Sequence, residues 1–372
     1  MTIEYFIQKA NEAYANSEFE LALNCLKEAG ALGDLNAALD FSYKTSPKDP
    51  QGVVDYLSAI PVGNRPIAQY HQLLIGYFGS VYRSSSYVVE RLIALSKEGV
   101  VEASLTLMAY VPVNTPEFSW IASILQRRSP NIYKQLEIGK FVDDGSTKLD
   151  ENAITESIIS RFNSSSIKSN VIDEEVSVIL YENVLTAFEC NYMITRFLPM
   201  LEPSMVVDPL TGKGRVDSVR TSYIATIFPE VADWITRKID HSIAQLTSTK
   251  VTQGEALSLL RYQPGQEYKP HYDALNVGEG AEIFQDGGQR IKTALIYLNS
   301  LTKEGCTLFP KLGKRVQPVL GSMLVFSNVN DDGKTLLNSY HAGEKLITKD
   351  KWLVTKWIRK HTTNYGNFIY GN

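Results

Sequence analysis

The chain has 372 residues, 44% hydrophobic and 21% charged, with a formal net charge of -4. That length and composition describe a globular chain of two or three domains with room for a substantial core. The acidic balance argues against a surface built for nucleic acid, although residues 250–361 run the other way, with 16 Lys/Arg against 11 Asp/Glu.

The N-terminal run MTIEYFIQKANEAYANSEFE lacks a basic stretch followed by an apolar core, so no secretory signal is expected. No uncharged apolar stretch of about 18 residues predicts a membrane span. Cys25, Cys190 and Cys306 form neither a CxxC pair nor a zinc spacing, so no disulfide framework is expected. The expected compartment is the reducing cytoplasm.

Residues 1–142 predict an all-α domain. Ile3, Phe6, Ile7, Ala10 and Tyr14 recur at helical spacing, and Phe19, Ala22, Leu23, Leu26 and Ala29 form a second stripe. An internal echo follows. Gly33 precedes Ala37, Leu39, Phe41 and Tyr43, and Gly99 precedes Ala103, Leu105, Leu107 and Tyr110. The two glycines lie 66 residues apart, about two units of a helix-pair repeat. The segment resembles tetratricopeptide- or Sel1-like repeats, with an ordinary helical bundle as the alternative.

Residues 143–175 predict a connector, because DDGSTK and RFNSSSIKSN favour turns; a short helix is expected around Asn152–Phe162. From residue 176 to 372 a second domain is expected. SVILYENVL reads as a strand, and AFECNYMITRFLPML and PEVADWITRKIDHSIAQLT read as helices. EALSLLRYQ, RIKTALIYLN, GCTLFP, RVQPVLGSMLVFSN, NSYHAGEKLI and KWLVTKWIRK then alternate with turns. Many short strands point to a β-sandwich or barrel, with the two helices on its outer face.

The pair His271-Tyr-Asp273 sets an imidazole and a carboxylate two residues apart, which on a strand places them on one face. They supply two of the three ligands of a two-histidine, one-carboxylate site for non-haem iron(II). Of the other histidines, His71 and His241 fall in predicted helices and His361 at a basic strand end. His341 opens a late strand and suits the third ligand. Lys351 follows ten residues later. The intervening TKD predicts a hairpin that runs strand 351–358 back beside strand 341–347. A lysine facing inward there needs an anionic partner.

The run RYQPGQEYKPHYD (261–273) resembles the motif that opens the catalytic core of prolyl 4-hydroxylases. So do GGQRIKTALIYLN (287–299), EGCTLFP (304–310) and HAG…KWLVTKW (341–357). The resemblance spans about 176–361, roughly half of the chain. It implies a double-stranded β-helix fold. It implies that His271, Asp273 and His341 bind Fe(II) and that Lys351 binds the distal carboxylate of 2-oxoglutarate. Tyr262, Thr293 and Tyr297 match positions lining the cosubstrate pocket, and Trp357 matches a tryptophan on the pocket wall. Arg220, Ser222, Glu255, Tyr268 and Arg290 match positions that hold the peptide.

The implied reaction is hydroxylation of proline, at C4, in a peptide or protein. It consumes 2-oxoglutarate and O2, with ascorbate as reductant, and releases succinate and CO2. Three departures bear on the substrate: Arg359 where the family often has histidine, Cys306 before Thr307, and a loop after Asp273 poor in aromatics. Two alternatives stand beside this reading. One keeps the chemistry but acts on a free amino acid, small metabolite or other side chain. The other is a helical-repeat interaction protein with an inactive β-domain. The expected partners are a proline-containing substrate, and a protein or a second copy of the chain at the N-terminal helices.

Overall fold

The structure is a computed structural model and describes residues 1–142, 150–163, 167–207, 214–216, 219–276 and 281–371. The chain divides into two compact units, Met1–Ser164 with Asn367–Asn372, and Ser165–Gly366. The second domain expected to end at 372 therefore gives up its last six residues to the first unit.

The first unit is helical. Nine α-helices lie between Ile3 and Gln135 among the described residues, and Glu151–Phe162 forms another. Asp34, Ser84 and Thr115 cap helix starts by accepting from the backbone N–H three residues on. Gly33 and Gly99 take positive φ, +109° and +99°, at equivalent helix ends. In both, the residue after the glycine donates back into the helix, Asp34 N to Ala29 O and Val100 N to Leu95 O. This six-to-one closure favours glycine, so the echo marks two helix–turn–helix joints. In the second stripe Ala22, Leu26 and Ala29 are buried, but Phe19 is exposed. The turn-rich segment 143–149 lies outside the described residues, as does 164–166.

The second unit holds β1 (Lys168–Asp173), β2 (Val178–Glu182), β3 (Glu202–Pro203), β4 (Met205–Val207), β5 (Gly214–Val216), β6 (Tyr223–Thr226) and β7 (Ser258–Tyr262). There follow β8 (Tyr268–His271), β9 (Arg290–Tyr297), β10 (Thr307–Phe309), β11 (Lys314–Val316), β12 (Met323–Ser327), β13 (His341–Gly343) and β14 (Lys351–Arg359). β1 lies inside the segment expected to be a connector. Its polar residues gave no apolar period, but they pair with β2 at the edge of a sheet.

Eight strands form one sheet in the order β1-β2-β12-β9-β14-β7-β6-β3, and four form another, β11-β10-β13-β8. Leu260, Tyr262, Tyr297, Leu324, Phe326 and Leu353 of the large sheet share one core with Phe309 and Val316 of the small one.

The hairpin expected between 341–347 and 351–358 does not form. β13 pairs with β8 and β10, whereas β14 pairs with β7 and β9. The turn between them carries the chain from one sheet to the other.

Helices Ala187–Phe197 and Trp234–Thr247 each begin with a capping box, Thr186 with Glu189 and Asp233 with Thr236. The second lies on the outer face of the large sheet. Lys292 Nζ donates to Thr247 O at 2.8 Å, the Tyr181 hydroxyl donates to Leu246 O at 3.0 Å, and Lys356 pairs with Asp240. Strand alternation separates the two sides of β14. Lys351, Leu353, Thr355 and Trp357 face a cleft on the inner side, and Lys356 reaches Asp240 on the outer. Both members of that ion pair are almost fully buried. Asp240→Ala, which strands the Lys356 charge, is expected to cost about 3–5 kcal/mol in urea unfolding. The Asp240→Leu, Lys356→Met double variant should recover most of that loss.

Candidate active site

His341 stands directly opposite His271 in the register of β13 and β8, and their rings lie 4.3 Å apart between centroids. Asp273 sits two residues beyond His271, just past the end of β8, so the chain rather than a regular strand brings it round. Asp273 Oδ1 is 3.5 Å from His271 Nε2, and Oδ2 is 3.6 Å from His341 Nε2. One ligand atom from each of the three lies within 4.8 Å of the others.

Both imidazoles are held by their far nitrogens. His271 Nδ1 bonds Lys269 O at 2.8 Å, and His341 Nδ1 bonds Ser339 O at 2.9 Å. A carbonyl only accepts, so each Nδ1 carries the proton and each Nε2 is turned to the centre. His271 Nε2 is buried there without a hydrogen-bond partner. Burial, reinforced by His271, pushes the His341 imidazole down to about 4 against the pull of Asp273. Burial works against the charge of Asp273 too, but His341, His271 and Arg290 outweigh it and hold the carboxyl far below the usual range. An ionised carboxylate and inward-turned imidazole nitrogens, spaced too widely to satisfy one another, fit a divalent cation of the non-haem iron type.

Packing fixes the rings. Phe326 of β12 meets His341 at 4.6 Å between centroids, and Tyr268 stacks on His271 at 3.5 Å. Thr293 is fully buried and does not line the cleft. Its hydroxyl donates to Asp273 Oδ2 at 2.7 Å, so it supports a ligand rather than a cosubstrate. Behind it Asn328 Nδ2 donates to Thr293 Oγ1 at 2.9 Å. Nothing in the sequence singles out Asn328; only the pairing of β9 with β12 brings it there.

The three candidate ligands open on one cleft between the facing sheets. Tyr262, Thr307, Lys351 and Trp357 line it together with the three candidate ligands, and so do Arg220, Tyr268 and Glu344. Lys351 is 3% exposed, and among the described residues it has no ion-pair partner. Its ammonium lies 5.4 Å from the Tyr297 ring. Tyr297 itself is behind the cleft wall, with its hydroxyl 2.7 Å from Thr307 Oγ1. Asn299, unmarked in the sequence reading, grips the chain on both sides of Lys351. It donates to Asp350 O and accepts from Trp352 N, each at 2.8 Å.

The residues matched to peptide positions fall into two groups. Arg220 is buried over the Tyr268 ring at 5.0 Å and donates to Ser222 Oγ at 3.3 Å. Ser222 is turned to Ser204 and does not line the cleft. Glu255 takes a two-point contact from Arg290, at 2.7 and 2.8 Å, and Arg290 stacks on Trp357 at 3.9 Å. Arg359, at the position that departs from the family, shares the same carboxylate. It also donates to the carbonyls of Ile283 and Gly288, beyond the metal-binding loop. Of that loop, 277–280 lies outside the described residues. His71 bonds Tyr43, and His361 is exposed, so neither joins the site.

Two facing sheets, with a two-histidine, one-carboxylate centre and a buried lysine on one cleft, define the site of an iron(II)- and 2-oxoglutarate-dependent oxygenase. Residues 257–359 match the 2OG-Fe(II) oxygenase superfamily. Probable prolyl 4-hydroxylase 10 of Arabidopsis thaliana is 35% identical over 210 residues, covering 51% of this chain and 71% of the relative. Prolyl 4-hydroxylase 1 of the same plant is 32% identical over 219 residues, covering 53% and 74%. A solved viral collagen prolyl hydroxylase from Paramecium Bursaria Chlorella virus-1, in its 2-oxoglutarate complex, aligns with 53% of this chain and 97% of its own. That pair has 22% identity and a TM-score of 0.39. The chain belongs to the prolyl 4-hydroxylase family of iron(II)/2-oxoglutarate oxygenases. It is a 2-oxoglutarate-dependent dioxygenase of the procollagen-proline 4-dioxygenase type, using Fe(II), 2-oxoglutarate and O2. The alternative of an inactive β-domain falls with that assignment.

Burial pushes Lys351 from 10.5 down to about 8, with Cys306 and Glu344 opposing. The folded chain thus binds fewer protons at Lys351 than the unfolded chain between pH 8 and 10.5. This group's contribution to stability therefore rises with pH across that window. The gap corresponds to about 3 kcal/mol held against the ligand-free fold. Lys351→Met is expected to raise the melting temperature of the ligand-free protein. In the native protein the apparent Kd for 2-oxoglutarate should climb above pH 8, up to about tenfold per pH unit, as the ammonium is lost. Thermal unfolding reads the first effect and calorimetric titration across pH 7–9.5 the second, and a flat affinity profile would count against the lysine as the carboxylate's partner.

Proposed function

We propose that this chain hydroxylates a proline residue, at C4, within a peptide or protein. The observation that carries the reading is the convergence of His271, Asp273 and His341 with the unpaired Lys351 on one cleft. In this reading His271, Asp273 and His341 hold iron, and Lys351 neutralises the distal carboxylate of 2-oxoglutarate beside Tyr262 and Thr307. Bound iron and 2-oxoglutarate supply the oxidising chemistry that inserts oxygen from O2 into a C–H bond and releases succinate and CO2.

The chain's own residues bind, orient and exclude water. Tyr268 and Trp357 give flat walls suited to a pyrrolidine ring, while Arg220, Arg290 and Glu255 offer the polar groups that fix a peptide's course. Ser222 backs Arg220. The two-sheet core is read as a double-stranded β-helix, and residues 1–142 as a repeat-like helical domain that binds substrate, a partner protein or a second copy. The three cysteines are free and buried, which suits the reducing cytoplasm. Among the described residues no helix is long and apolar enough to cross a membrane.

A second reading rests on Arg359. It shares Glu255 with Arg290 and ties down the carbonyls of residues 283 and 288, and in this reading the substrate is a free amino acid or small metabolite. Incubation with Fe(II), 2-oxoglutarate, ascorbate and proline-containing peptides is expected to add one oxygen per peptide, with matching succinate. His271→Ala should abolish both products. Turnover of free amino acids in preference to every peptide tried would instead establish the second reading.

A further inference from the structure

Asp273 and Thr293 leave one question of direction open, and chemistry answers it. An ionised carboxylate only accepts, so the Thr293 hydroxyl must spend its proton on Asp273 Oδ2, at 2.7 Å. Thr293 Oγ1 is then an acceptor, and the group that reaches it is the Asn328 amide, 2.9 Å away. The Asn328 nitrogen is therefore the end that faces Thr293, and its Oδ1 points away.

That oxygen is buried and has no hydrogen-bond partner. Asn328 and Thr293 are both fully buried, and the backbone of Asn328 is already satisfied by Ile291 O and Leu336 N. An unpaired amide oxygen weakens a fold, so an apolar residue of similar volume would serve stability better here. The arrangement makes sense as an orienting device.

We propose that Asn328 and Thr293 form a relay that fixes the orientation of the Asp273 carboxylate through Oδ2. Both are positioning residues, since neither touches the cleft. A carboxylate held in one rotamer meets the two imidazole nitrogens without having to be reoriented when a cation binds. The register of β9 with β12 builds the device. Phe326 pairs with Thr293 across the strands and packs on His341, so the end of β12 steadies two of the three ligands. The proposal rests on reading His271, Asp273 and His341 as the metal site.

The test is Co(II) binding to the full chain, followed by titration and by the visible absorption of the bound ion, with melting temperature measured alongside. Thr293→Val and Asn328→Leu are each expected to weaken Co(II) binding about 10–100-fold and to change the absorption spectrum. The melting temperature should stay level or rise in Asn328→Leu. Thr293→Ser keeps the hydroxyl and should restore affinity and spectrum. The Thr293→Val, Asn328→Leu double variant should bind no more weakly than Thr293→Val, because the relay is already cut. Wild-type affinity and spectrum in Thr293→Val, with binding lost in His271→Ala, would overturn the relay and leave the metal site standing. Undiminished binding in His271→Ala would overturn the metal site itself. The Thr293→Val and Thr293→Ser pair decides the matter even if Asn328→Leu does not fold.

Discussion

The pairing of His341 opposite His271 across β13 and β8 is the contact on which the site depends. A strand's side chains alternate between faces, so a slip of one residue would send one imidazole to the outer side of the small sheet. The register is held by packing rather than by the histidines. Phe309 of the neighbouring strand lies edge-on to Phe326 of the large sheet at 5.2 Å, and Phe326 packs on His341. The apolar core between the sheets thereby aims two polar rings at one point. Asp273 needs no register of its own, because it follows His271 by two residues and is caught by Thr293.

Several polar groups at the cleft are buried without protein partners, and this is a debt the ligand-free fold carries. Lys351 has its charge disfavoured, and among the described residues the atoms His271 Nε2 and Trp357 Nε1, and Asn328 Oδ1 behind the cleft wall, lack hydrogen bonds. Each such group weakens a fold by more than a satisfied one strengthens it. Their clustering follows from function. In the proposed reading the imidazole nitrogens would hold the metal and the ammonium would pair with an anionic cosubstrate. The surrounding structure compensates with groups that are fully satisfied, such as Glu304, which accepts from the backbone N–H of Ile347 and of Thr348 and from the Thr348 hydroxyl. That contact holds the crossover between the His341 strand and the Lys351 strand.

The donor set and the lysine were legible in the sequence because each belongs to a short run with few rivals. The chain has five histidines, and helical periodicity removes two of them. The way the pieces meet was less legible. A three-residue TKD turn reads as a hairpin, yet nothing local distinguishes a hairpin from a crossover between facing sheets; that depends on which partner strands bury the apolar faces. The polar strand β1 was missed for a related reason, since an edge strand needs no apolar face of its own. The resemblance sets Thr293 at the cosubstrate pocket, although its hydroxyl is committed to Asp273. The sequence marks which residues of β9 share a face, but not which of them is screened from the cleft by a neighbour. Asn328 and Asn299 left no mark at all. Each works through a main-chain position or a hydroxyl from a distant strand.

β14 shows how one strand serves both demands. Its inner residues, Lys351, Leu353, Thr355 and Trp357, line one side of the cleft. Its outer residue Lys356 is paired with Asp240 in the helix behind. A central strand hydrogen-bonded on both sides has little freedom to shift, so the spacing between Lys351 and Trp357 is set by strand rise, at about 20 Å over six residues. That separation places the buried lysine and Trp357 at opposite ends of one rigid ruler, with His271 and His341 supplied from the facing sheet. Arg359 lies on the same inner phase, one step past Trp357, and there it draws Glu255 and the segment after the metal-binding loop toward the strand's end.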